Sequence, residues 1–132
     1  MNEQLNFIPQ RMNEHFILID PKGDTAGYVR LSDDDKGGRE ESNSISNQKI
    51  IVTKASQKYN KRLYGIYIDD GYSGTNFSRP GFKLMIQEVY AGKIKTVIVK
   101  DLSRFGRDYI QTGNYISKIF VDLDVRFIAE SD

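Results

Sequence analysis

The chain contains no cysteine and no tryptophan, and His15 is its one histidine in 132 residues. Without cysteine there is no disulfide, no thiolate nucleophile and no Cys-type zinc site. A Ser-His-Asp triad would have to rest on His15, which has no glycine turn or nucleophile beside it, so an ordinary surface or strand residue is expected there. Long apolar runs are also missing, and nothing approaches the ~20 residues of a membrane span. No basic-then-apolar leader is present, so secretion is not expected. The lack of cysteine agrees with a reducing cytoplasm. Net charge is nearly absent, because 19 Lys and Arg face 18 Asp and Glu and leave +1. A domain that grips nucleic acid by itself carries a basic stripe, so any such work here would be local handling of phosphates, with affinity left to another module.

What is present fits one soluble globular domain, with 39% hydrophobic and 28% charged residues. Charge is spread unevenly: Asp33 to Glu41 is acid-rich, whereas Lys49, Lys54, Lys58, Lys61 and Arg62 have no acid between them. Residues 1–24 read as a leader of unclear role, with a short strand at His15–Asp20 and a turn at Pro21–Asp24. Strands follow at Ala26–Leu31, Leu63–Ile68, Thr96–Lys100 and Val125–Ala129. Between them, Asp33–Asn43 is a polar loop, and a helix capped by Ser44 or Ser42 runs to about Asn60 on the apolar spacing Ile51, Ala55, Tyr59. A loop with two glycines spans Asp69–Ser78, and a helix opening at Arg79-Pro80 runs to Ala91 and stops at Gly92. The last helix is expected as one piece, from about Arg107 to Leu123. Strand–helix alternation predicts an α/β fold: a mainly parallel open sheet of four or more strands with helices on both faces. The end at Ser131-Asp132 reads as a chain cut before a further element.

In such a sheet the carboxyl ends of the strands share one edge, where ligands bind. That edge gathers Arg30 and Ser32, the Asp69–Arg79 loop, and Ser103, Arg104 and Arg107. The two later arginines stand three residues apart where a helix is expected to begin, a place suited to a phosphate. Serine among arginines suits phosphoryl chemistry: the hydroxyl attacks phosphorus and the guanidiniums neutralise the developing charge. Each residue also has a plainer reading. Ser32 can be a turn residue, Arg30 can face solvent or pair with Asp33, and Arg104 and Arg107 can bridge Asp101 or Asp108. Ser73-Gly74 can merely shape a loop, and Arg79 can merely begin a helix. Two rival functions also stand. Asp33, Asp34, Asp35, Asp69, Asp70 and Asp101 at strand ends could hold Mg²⁺ in a metal-dependent nuclease. The arginines could instead serve a non-catalytic phosphate-binding or assembly domain.

Four segments together, Tyr28-Val-Arg-Leu-Ser32, Asp70-Gly-Tyr-Ser-Gly74, Arg79-Pro-Gly-Phe82 and Val97-Ile-Val-Lys-Asp-Leu-Ser-Arg-Phe-Gly-Arg107, resemble the catalytic domain of serine recombinases, the resolvase/invertase group. The resemblance runs from about Ala26 to the end, and residues 25–132 are expected to be that domain, ahead of a linking helix and DNA-binding domains. Ser44-Ile-Ser-Asn-Gln48 and Asp69-Asp-Gly-Tyr-Ser-Gly-Thr-Asn-Phe77 point to the large serine recombinases of transposons, of the TnpX type. The resemblance implies site-specific recombination or transposition through a 5′-phosphoserine intermediate, with no metal or other cofactor. It implies Ser32 as nucleophile, Arg30, Arg104 and Arg107 around the scissile phosphate, and Arg79 as the basic residue after the mobile loop. Gln48 and Ser73 would support the site. Small resolvases commonly carry Asp where this chain has Ser103, so a variant site is expected, with Asp101 two residues earlier as a possible substitute and the proton donor to the leaving 3′ oxygen unassigned. The implied partners are double-stranded DNA and further copies of the protein: a synaptic tetramer for the full-length protein, a monomer or weak dimer for residues 1–132. Weak, salt-sensitive DNA binding is expected of these residues alone, and no membrane.

Overall fold

The computed structural model of the protein describes residues 14–33 and 44–131. The expected loop at Asp33–Asn43 lies outside these from residue 34 on, as do Asp34 and Asp35. Among the described residues, β1 (Phe16–Leu18), β2 (Thr25–Leu31), β3 (Leu63–Asp70), β4 (Thr96–Val99) and β5 (Arg126–Ala129) form one sheet in the spatial order β1-β3-β2-β4-β5. Four strands run parallel, and β1 lies antiparallel to β3 at one edge.

The strands read as nearly unbroken apolar runs because both sheet faces are covered. Val29, Ile66, Ile68, Ile98 and Ile128 meet Val52 and Ala55 of α1 (Ile45–Lys58) on one face. Ala26, Tyr28, Tyr67, Val97 and Val99 meet Phe82, Met85 and Val89 of α2 (Pro80–Tyr90) on the other. Helix ends follow their sequence signals. The Ser44 side chain accepts the Asn47 N–H at 3.0 Å, Pro80 is the first residue of α2, and Gly92 takes φ 83° just beyond it.

The last helical region departs from the single helix expected over 107–123. A four-residue α3 (Leu102–Phe105) comes first, and a second start follows at α4 (Tyr109–Asn114). Asp101 and Asp108 each cap a start, accepting Arg104 N–H at 3.2 Å and Gln111 N–H at 3.1 Å. Gly106 between them is fully extended at φ 179°, ψ 153°. From α4 the chain passes through a π-helical turn (Tyr115–Ile119) into α5 (Phe120–Asp122). The wide turn puts residues five apart on one face, so the Tyr115 and Phe120 rings both pack on Phe105, with centroids 6.1 and 5.8 Å away. Arg104 and Arg107 therefore do not stand at the start of a long helix. Arg104 rides the last turn of α3 and Arg107 lies in the connection, so the helix dipole is not what would draw an anion to them.

Candidate active site

The chain leaves β2 through α1 to β3 on one side, then returns past β2 to β4 on the other. A crevice forms where such a sheet reverses its winding. β2 pairs with β3 as far as Leu31↔Asp70, but with β4 only from Thr25↔Thr96 to Gly27↔Ile98. Past Gly27 the two strands separate, and the buried backbone groups of Arg30 lose their ladder partners. They must find others. Arg30 N–H donates to Gln48 Oε1 at 3.1 Å, and Arg30 C=O accepts from Gln48 Nε2 at 3.0 Å and from Arg104 Nη1 at 2.8 Å. Gln48, expected as a supporting polar group, is fully buried on α1 and acts on the backbone of β2.

The Arg30 side chain is fully buried and spends its donors on three carbonyls: Nε on Arg104 (3.1 Å), Nη1 on Tyr72 (2.9 Å) and Nη2 on Ser103 (2.6 Å). It thereby ties the loop after β3 and the segment after β4 to the end of β2. Ser32, the next residue but one, is 6% exposed at the mouth of the separation. Arg107 is exposed, with its backbone N–H on Gly74 C=O at 2.7 Å. Gly106 has no room for a side chain, because a Cβ there would lie 2.3 Å from the Phe77 ring.

Asp101 turns toward this cluster. Its Oδ1 accepts the Ser103 hydroxyl at 2.9 Å and lies 3.6 Å from Arg104 Nε, while Ser103 Oγ accepts from Arg104 Nη2 at 3.3 Å. A serine and an aspartate two residues apart together surround the Arg104 guanidinium.

Two further expected site residues, Arg79 and Ser73, are held by their own neighbours. Arg79 is 1% exposed and does not open onto the crevice. Its Nε donates to Asn76 C=O, Nη1 to the Tyr28 hydroxyl and Nη2 to Phe105 C=O, each at 2.8 Å. Phe77 and Phe82 flank the guanidinium at 4.6 and 4.9 Å from their ring centroids. The Arg79 guanidinium thus ties the Asn76 and Phe105 backbone to the Tyr28 hydroxyl. Ser73 is exposed, and its hydroxyl is engaged by Thr75 Oγ1 (2.8 Å) and Thr75 N–H (3.1 Å), a local turn.

Asp69 also differs from its reading as a loop acid or metal ligand. It is fully buried and accepts Gly81 N–H (2.8 Å), Phe82 N–H (2.9 Å) and the Tyr28 hydroxyl (2.7 Å), capping α2 across the sheet edge. Among the described residues no three His, Cys, Asp or Glu gather as metal ligands.

The Arg30 guanidinium lies among the charges of Arg104, Arg79 and Arg107, with Asp101 beside Arg104. Burial, then the charges of Arg104 and Arg79 and that of Arg107, push the Arg30 guanidinium down to about 10. Burial also holds the Tyr28 phenol well above its usual range. An anion seated among these groups would relieve the repulsion.

A family model described as the N-terminal domain of resolvase matches residues 25–132. The chain belongs to the resolvase family of serine recombinases. The recombinase fold is shared with solved structures. The N-terminal catalytic domain of TP901-1 integrase superposes at a TM-score of 0.70 with 26% identity, over 81% of this chain and 76% of that one. A resolvase family site-specific recombinase from Streptococcus pneumoniae gives 0.65 and 26%, over 82% and 72%. The C-terminal catalytic domain of ISC1926 TnpA, an IS607-like serine recombinase, gives 0.65 at 20% identity, over 82% and 70%, and so shares the fold. No curated protein matches the chain. The domain is thus the catalytic domain of a site-specific DNA recombinase, of a family whose domains bind DNA and oligomerise. No helix among the described residues is long and apolar enough to cross a membrane.

The sequence motifs include Tyr28 and Gly74 but give Tyr28 no role and Gly74 only a loop-shaping one, and they miss the place of Asp69. A faint signal existed: Tyr28 stands two residues before Arg30, hence on the same sheet face, and Asp69 stands at a strand end eleven residues before the first residue of α2.

Proposed function

We propose that Ser32 of this recombinase domain is the nucleophile. Its Oγ attacks the phosphorus of a DNA phosphodiester and the bond to the 3′ oxygen breaks. Ser32 gives up its proton, the 3′ oxygen takes one, and the 5′ phosphate stays on Ser32 until a 3′ hydroxyl reverses the step. Arg30, Arg104 and Arg107 neutralise the charge that develops on phosphorus. Asp101 and Ser103 together orient Arg104, the task a single carboxylate would perform at position 103. Arg79 acts from behind, holding Phe105 and Tyr28. The substrate is double-stranded DNA in the cytoplasm, and no metal or cofactor takes part. Residues 25–132 are the catalytic unit of a longer protein that works as a tetramer, while residues 1–132 alone form at most weak dimers.

The observation that carries this reading is the separation of β2 from β4, which leaves Ser32 buried beside an arginine pair locked onto the same strand end. The protein carrying this domain is mixed with DNA containing its element ends and denatured. A protein–DNA adduct is expected, formed equally in EDTA and lost in Ser32→Ala. Cleavage that stops in EDTA without an adduct would favour the nuclease. Tight DNA binding with no cleavage, unaltered by Ser32→Ala, would favour a phosphate-binding domain.

A further inference from the structure

We infer that His15 is a positioning residue for this site, making the N-terminal segment a working part of the recombinase domain. The family match begins at residue 25, ten residues further on. Yet His15 reaches both limbs that hold the arginines. Its Nδ1 donates to Ile68 C=O at 2.9 Å and lies 3.3 Å from Asp69 Oδ1. Asp69 in turn fixes the start of α2 and the Tyr28 hydroxyl, which accepts from Arg79, and Arg79 holds Phe105 beside Arg104. The imidazole also meets the Tyr72 ring in an edge-on arrangement, at 6.0 Å between centroids, and Tyr72 supplies the carbonyl that holds Arg30 Nη1. One side chain from outside the matched region thus braces the seats of Arg79 and Arg30 together.

The docking of this segment is built into the domain. Phe16, next to His15, is 4% exposed, and its ring lies where a side chain on Gly65 would stand, 2.3 Å from an added Cβ. β1 pairs with β3 from Phe16↔Tyr67 to Leu18↔Gly65. A residue as small as glycine at the third position of β3 makes sense as the receiver of Phe16. The segment is therefore held in a fixed register, and His15 arrives at the carboxyl end of β3 as a consequence.

For its catalytic arm the inference rests on the strand-transfer reading; its structural arm does not. The test compares His15→Ala, His15→Asn and His15→Gln. Asn places an amide nitrogen where Nδ1 stands, whereas Gln places it one bond further out, and neither restores the ring. Hydrogen exchange at Gly81 and Phe82 N–H is expected to rise about tenfold in the Ala and Gln variants, the factor that goes with a lost buried hydrogen bond, and to return close to wild type in Asn. Adduct formation, measured well below the melting temperature of each variant, is expected to follow the same order. Unchanged exchange in His15→Ala, or an Asn variant no better than Gln, would overturn the inference. So would normal adduct formation in variants whose exchange is raised. If exchange follows the expected order while even the wild type forms no adduct, the strand-transfer reading fails and the link from His15 to Asp69 stands.

Discussion

Arg30 and Arg104 each bind the other's backbone: Arg104 Nη1 donates to Arg30 C=O at 2.8 Å, and Arg30 Nε donates to Arg104 C=O at 3.1 Å. Two like charges are held in place by bonds that do not neutralise either of them. The lock needs a planar fork with several donors, which lysine lacks. Arg104→Lys is expected to keep the charge and still lower the rate of adduct formation by about 10²-fold, the usual cost of one preorganised donor to a developing charge. A rate within threefold of wild type would show that charge alone suffices.

Gln48 replaces the ladder that β2 loses when it parts from β4. Gln48→Leu keeps the size of the side chain and removes both bonds to the Arg30 backbone. A stability loss of about 1–3 kcal/mol is expected from the buried groups left unpaired. It should appear in urea titrations as a lower midpoint at unchanged slope.

Gly74 lies against the clamp itself. A Cβ there would stand 2.7 Å from Arg30 Nη2 and 3.1 Å from Arg107 Cγ. The Arg30 guanidinium is pinned by three carbonyls and cannot simply move aside. Gly74→Ala is expected to cost about 1–3 kcal/mol by overpacking and to depress adduct formation in single-turnover assays, even where most of the protein remains folded.

The depressed Arg30 gives a pH signature. Below about 10 Arg30 is charged in both the folded and the unfolded protein, so the repulsion is felt in full. As pH rises from there toward the ordinary arginine value, the folded state gives up its proton first and the repulsion fades. Sulfate, whose charge is constant over this range, should therefore raise the melting temperature more at pH 8 than at pH 10.5, relative to chloride at equal ionic strength. An equal rise at both values would mean that sulfate does not sit by Arg30.

Much of the fold was legible in residue order. Strands covered on both faces announce themselves as apolar runs, and Ser44, Pro80 and Gly92 mark helix ends by local chemistry. Arg30, Ser32, Ser103 and Arg104 were legible as strand-end residues for the same reason. Less legible was anything set by two distant segments. The partner of Gln48 depends on where β2 and β4 diverge, and the burial of Arg79 depends on Tyr28 and Phe105, which lie far from it in the chain. Asp101 and Asp108 could be read as ion-pair partners of the arginines, and Asp101 does pair with Arg104, but each also caps a helix and so splits the region in two. Asp69 carries a helix start across the sheet edge, a task at which its spacing to that helix only faintly hints.

The central claim is that residue 32 carries the DNA during strand exchange. The most direct measurement is to trap the adduct, digest its DNA with nuclease and its protein with protease, and sequence the modified peptide by mass spectrometry. The expected result is a nucleotide linked through its 5′ phosphate to the hydroxyl of Ser32. DNA cut by the same preparation with Ser32 unmodified, or with the nucleotide on another residue, would contradict the assignment.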